Sequence, residues 1–130
     1  MAMVTVVDET ASGDRGESWQ LEIFEERLPL REVIRRRVFQ EVAEFNAGGG
    51  SVFRGLVRPW GTTPAGDGYV LPTPRRVDAE EQCARAVEAF TRNGFVVLVD
   101  ERQVEELDDE VDLRMGARVT FLRLVPLVGG

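Results

Sequence analysis

Phe95-Val96-Val97-Leu98-Val99-Asp100-Glu101-Arg102-Gln103-Val104 decides the fold. The apolar run Phe95–Val99 reads as a strand buried on both faces or nearly so. Asp100-Glu101-Arg102 makes a turn, and Gln103-Val104 suits a short return strand. Downstream, Glu105 to Asp112 is strongly acidic, with Leu107, Val111 and Leu113 as apolar anchors, and reads as a solvated connection. Asp108, Asp109, Glu110 and Asp112 lack the Gly-punctuated spacing of a calcium loop, so no metal site is expected there. Arg114-Met115-Gly116-Ala117 turns the chain into a last strand, Arg118 to Val125. If Val119 and Phe121 point inward along it, Leu122 and Leu124 are the outward pair.

Upstream, Asp78 and Glu81 stand at capping-box spacing and open a helix. Ala79, Cys83, Ala86, Val87 and Phe90 form its apolar stripe, and Asn93-Gly94 ends it. Cys83 on that stripe is a buried structural thiol. Between Ala47 and Val77 lie seven of the 13 Gly and four of the six Pro. That density predicts mostly loop, an insertion of about residues 47–94 together with the second helix. Phe53, Leu56, Val57, Trp60 and Tyr69 are embedded in it and would hold it against a surface. An earlier helix begins near Pro29-Leu30, where Pro is well tolerated, and Glu25 and Glu26 precede its positive end. Its stripe is Leu30, Val33, Ile34, Val38, Val42 and Phe45, and Asn46 to Gly50 stops it. Arg35-Arg36-Arg37, with Glu41 four residues beyond Arg37, reads as an ordinary charged helix face. Before the helix, Val4–Val7 and the alternating Ser18-Trp19-Gln20-Leu21-Glu22-Ile23 form an antiparallel hairpin across a Gly-bearing turn.

Composition narrows the chemistry. The chain has 130 residues, 43% hydrophobic and 30% charged, which suits one globular domain of α+β type. No apolar run reaches the roughly 18 residues of a membrane span, and Met1–Thr10 has no signal-peptide pattern, so a cytoplasmic protein is expected. His is absent, and all 16 basic residues are Arg. Ser-His-Asp and Cys-His sites, Schiff bases and Walker-type loops are thereby excluded. A zinc site would need one Cys and carboxylates, while a carboxylate-only site remains formally open. The net charge of −7 argues against nucleic-acid or membrane-surface partners. A binding or carrier protein is expected rather than an enzyme.

The order of elements resembles ubiquitin-like β-grasp proteins. Phe95–Val104 looks like their third strand, turn and short fourth strand, and Glu105–Leu113 occupies the place of the connecting segment. Arg118-Val119-Thr120-Phe121-Leu122-Arg123-Leu124-Val125 is similar to the last strand and leads to Gly129-Gly130. The hairpin and the helix from Leu30 match the first half, so the resemblance covers about two-thirds of the chain by element. It implies a ubiquitin-like β-grasp, a mixed sheet on a helix, with the 47–94 insertion and a flexible tail near 126–130. It also implies an adenylating activating enzyme that uses ATP, with no cofactor held by this chain. Gly130 would supply the reacting carboxylate and Gly129 the slender approach to the enzyme's cleft. Leu127 and Val128 would be the apolar grip. Pro126-Leu127-Val128 departs from ubiquitin's basic tail and is closer to the bacterial thiamine sulfur carrier and the small subunit of molybdopterin synthase, which are shorter.

Three functions follow. The first is a bacterial ubiquitin-like modifier passed, through a conjugating enzyme where one is used, to amines of target proteins. The second is a sulfur carrier ending in a thiocarboxylate. The third is a non-conjugated interaction domain whose partner surface uses Trp60, Phe53 and Tyr69. The missing lysines suit single-copy attachment, and equally a GC-rich genome. Gly130 would serve equally as a native terminus or as one exposed by processing.

Overall fold

The computed structural model describes residues 2–124 apart from Asp14, Glu17, Asp67, Pro74 and Met115. In chain order the elements are β1 (Ala2–Thr10), β2 (Trp19–Ile23), β3 (Arg27–Pro29), α1 (Leu30–Gly48), β4 (Val52–Phe53), β5 (Thr63–Ala65) and β6 (Gly68–Val70). They continue with α2 (Ala79–Thr91), β7 (Phe95–Val99), β8 (Arg102–Val104), β9 (Glu110–Asp112) and β10 (Arg118–Arg123). The result is an α+β fold with a mixed sheet and two helices, broadly a β-grasp arrangement. The chain gathers into two compact units, one of residues 1–33 and 90–130 and one of Ile34–Ala89.

The first unit holds the mixed sheet, in the order β2-β1-β10-β7-β8. β1 and β10 pair in parallel, Thr5–Thr10 against Arg118–Arg123, while β2 and β7 flank them antiparallel. The alternation read in the sequence holds. Val4, Val6, Val97, Val119 and Phe121 are fully buried on one face, joined by Leu21 and Ile23. Phe121 leans on Phe95 at 6.0 Å between ring centres, and Phe95 on Phe90 at 5.7 Å. The hairpin from β7 to β8 turns on Asp100 and Glu101, both at positive φ (47° and 72°), as a two-residue loop that matches strand twist requires. Asp100 also exchanges hydrogen bonds with Arg118, its backbone N–H donating to the Arg118 carbonyl and its Oδ1 accepting from the Arg118 N–H. The turn is thereby tied to the start of β10.

The acidic run departs from the solvated connection expected of it. β9 pairs antiparallel with β3, Val111 opposite Leu28, and Val111 and Leu113 are buried. The preceding turn closes the start of α1. The Leu30 N–H donates to the Asp109 carbonyl and the Arg31 N–H to the Leu107 carbonyl, both at 2.9 Å. These are amides that a helix leaves without an internal partner. Asp108 also lies 3.2 Å from the Arg31 guanidinium. The acids therefore sit at the positive end of the helix.

The second unit contains most of α1, a three-stranded sheet in the order β4-β6-β5, and most of α2. It begins earlier than the 47–94 stretch and ends at Ala89, and between Ala47 and Val77, where loop predominates as expected, the short strands β4, β5 and β6 form a sheet of their own. Two glycines permit the close approach of chain there. A Cβ on Gly55 would lie 2.3 Å from the Phe53 ring, and one on Gly68 would meet Val52 at 2.7 Å and the Phe53 carbonyl at 3.1 Å. Asn46, near the end of α1, clamps Val77 by exchanging side-chain amide hydrogen bonds with its N–H and carbonyl. Asp78 then caps α2, its Oδ1 accepting from Glu80 and Glu81 N–H, as its sequence position predicts. Arg37 is the departure. It does not lie on an ordinary charged face but is 1% exposed, paired at 3.0 Å with Glu41, whose other oxygen accepts from the Leu56 N–H. Gln82 is likewise buried and donates to the Val57 carbonyl.

Truncating the buried ring, Phe121→Ala, should cost about 3–5 kcal/mol in urea unfolding. Leu122→Ala, half-buried on the opposite face, should cost no more than ~1.5 kcal/mol. In the second unit, Glu41→Ala removes the carboxylate shared by Arg37 and Leu56 and should destabilise by about 3 kcal/mol or more.

Candidate functional site

Interaction surfaces depend on what a sheet leaves uncovered, and here that is the sheet face opposite Val119 and Phe121. Register fixes the neighbours on it. Leu122 lies across from Val96 on β7 and Glu9 on β1, and Thr120 across from Leu98 and Val7. Leu122, Val96 and Leu98 are half-buried, and Leu124 is 36% exposed. The inward pair assumed from the sequence is thus inward, and Leu122 sits in an apolar patch spanning β10 and β7. Val7, by contrast, is fully covered.

The aromatic residues read as a partner surface do not behave alike. Trp60 is 70% exposed, and its carbonyl accepts a hydrogen bond from the Arg75 guanidinium. Phe53 is a correction: at 1% exposure it is interior, edge-on to Phe45 at 5.4 Å, and cannot anchor a partner from outside. Tyr69 is half-buried and pairs with Phe53 across β4 and β6. Trp60 is therefore the residue of that group presented to solvent. A recess of about 350 Å³ beside it is lined by Gly61, Pro72 and Arg75. Leu127, Val128, Gly129 and Gly130 lie outside the described residues.

The first unit has a larger groove, of about 780 Å³, that sequence reasoning missed. Its lining combines the apolar Val99 and Val104, the acidic Glu26 and Glu110, and the aromatic Phe24. Phe24 is 67% exposed. It follows Ile23, which points inward, so strand alternation alone puts Phe24 on the outside. Asp112, also in the groove, is gripped by Arg114, whose guanidinium reaches it at 2.7 Å and whose N–H donates to it at 3.0 Å. These bonds hold the Asp112 carboxyl down to about 2.

Other chemistry is sparse. Cys83 is buried on α2, its thiol 4.0 Å from the Arg35 carbonyl, as the sequence suggested. Arg35 forks onto Glu80 and stacks over Phe39 at 4.5 Å, holding the Glu80 carboxyl below its ordinary range. Among the described residues no cluster of His, Cys, Asp or Glu is placed to hold a metal ion, and no helix is long and apolar enough to cross a membrane. Comparison with protein-family models, curated proteins and solved structures finds no match.

The Asp112–Arg114 pair has a pH signature. A carboxyl whose folded value is depressed contributes stability above its unfolded value near 3.8, and that contribution fades as pH falls toward about 2. A carbon-detected NMR titration should place the Asp112 midpoint near 2. Arg114→Gln should return it toward 3.8, and an unchanged midpoint would remove Arg114 as the cause.

Proposed function

We propose that this chain is a protein-interaction module on a β-grasp scaffold, and that it serves as a protein modifier through Leu127-Val128-Gly129-Gly130. The observation that carries the reading is the sheet order, with β10 held between β1 and β7. A strand hydrogen-bonded on both sides is a firm base from which the residues after it can be offered to a partner's cleft. The apolar patch around Leu122 beside it supports docking as the working principle. In this reading residues 47–94 are an addition to the minimal scaffold, and catalysis belongs to the partners.

The chemistry of the tail would run in three steps. A Gly130 carboxylate oxygen attacks the α-phosphorus of ATP on the activating enzyme, and pyrophosphate leaves. A cysteine thiolate of that enzyme attacks the acyl-adenylate and expels AMP. A target amine then displaces the thiol and forms an amide bond. Attack of a sulfide nucleophile on the same acyl-adenylate, with AMP expelled, would instead give a thiocarboxylate, the sulfur-carrier reading. A fixed interaction domain would use neither.

Mass spectrometry on tagged protein from its host, beside a Gly130-deleted form, decides among these. Target lysines carrying a Gly-Gly remnant, lost on deletion, are the expected result. A terminal carboxylate with oxygen replaced by sulfur would point to the carrier. A free terminus throughout, with the deletion fully functional, would leave only the docking module.

A further inference from the structure

The groove bordered by Phe24 has features that the tail chemistry does not use. Its two bordering strands are both edge strands. β8 ends the order β2-β1-β10-β7-β8, and β9 has β3 beside it in a two-stranded ribbon. Each strand therefore has an edge with no strand partner among the described residues. Such edges are templates for an added strand unless something blunts them. Val99 and Val104 contribute apolar surface to the lining. The charge around it is unbalanced: Glu26, Asp100, Glu110 and Asp112 stand against Arg102 and Arg114. Asp112 and Arg114 neutralise one another. The remainder is a net negative groove with an exposed aromatic ring in its lining.

We propose that this groove docks an extended basic segment of a partner protein, its backbone running along β8 and its arginines meeting Glu26, Glu110 and the Phe24 ring. Alternation along a strand explains the fit. Successive side chains of an added strand point to opposite sides, so alternate residues all face the groove, where a row of arginines meets the carboxylates that line it. A guanidinium over the Phe24 face gains from the ring quadrupole, and carboxylates beside it add charge complementarity. A nucleic acid or an acidic peptide would be repelled by the same carboxylates. The inference rests on the interaction reading above but not on the tail.

The probe is a fluorescein-labelled octapeptide of alternating Arg and Val, compared with one of alternating Glu and Val. Both are titrated against the full chain at physiological salt by anisotropy, with amide chemical shifts recorded in parallel. Saturable binding of the Arg peptide alone is expected, with shifts concentrated in Arg102–Val104 and Glu110–Asp112. Phe24→Ala should weaken it roughly two- to fivefold. Glu26→Gln with Glu110→Gln should weaken it about fivefold. A charge-matched control, Glu105→Gln with Glu106→Gln, should leave it unchanged. Phe24, Glu26 and Glu110 are exposed, so the variants should keep the parent amide spectrum. Equal weakening by the control pair, shifts scattered over the acidic surface, or no binding at millimolar peptide would each overturn the proposal. The chain lacking Gly130 should bind the peptide as the parent does. Failure of the groove and failure of the modifier chemistry are thus read separately.

Discussion

The parallel pairing of β1 with β10 is the constraint on which the first unit depends. Thr5–Thr10 and Arg118–Arg123 come from opposite ends of the sequence, and the other strands of the five-stranded sheet are added outward from them. Parallel neighbours cannot be joined by a tight hairpin, so the intervening chain must cross over. Closing that distance costs conformational entropy before any contact repays it, so the pair is a costly long-range contact of the fold. Once formed, it sets the parity of the sheet. Val6 beside Val119 and Phe121 beside Val97 fix one face as core, and Leu122 and Val96 therefore lie on the other. The candidate docking patch is a consequence of that register. A slip by one residue would exchange the two faces.

Polar contacts organise what the sheet does not. In the first unit the turn at Leu107–Asp109 completes the start of α1 by accepting its first free amides. A stretch that looks like solvated acid thereby becomes structural. In the second unit Glu41 faces two donors at once, the buried Arg37 guanidinium and the Leu56 N–H, and so fastens the chain after β4 to the helix. Asn46 does the same for Val77 ahead of α2. A buried charge pair of this sort specifies one arrangement more than it adds net stability, because desolvation offsets much of the attraction.

Much of the fold was legible where local rules and burial agree. The hairpin of β1 and β2, the ends of both helices, the Asp78 cap, the strand at Phe95 and the inward parity of Val119 and Phe121 follow from periodicity and capping. The strands that escaped reading are short and paired far along the chain. β3 and β9 are three residues each, with one buried apolar residue apiece, Leu28 and Val111. β5 is Thr-Pro-Ala, exposed throughout, and Pro64 is tolerated because β5 is an edge strand. Composition misled at Phe53, where an aromatic among glycines looked like an exposed anchor but Gly55 leaves room for its ring to be buried. Arg37 was hidden for the opposite reason, since a charge on a helix is ordinarily solvated. Of the candidate sites, Leu122 could be placed by alternation alone. The Phe24 groove could not, because it is assembled from segments distant in sequence. The Gly129-Gly130 reading rests on sequence and lies outside the described residues.

Native-state hydrogen exchange, resolved by residue, tests the central claim that the β1–β10 pair carries the first unit. The ladder amides of β1 and β10 should be the slowest in the unit and should exchange together, as one cooperative opening. Amides of the edge strands β2 and β8 should exchange sooner. If β1 or β10 exchanges as fast as those edges while β7 stays protected, the parallel pair is not the keystone, and the register that places Leu122 on the outer face loses its basis.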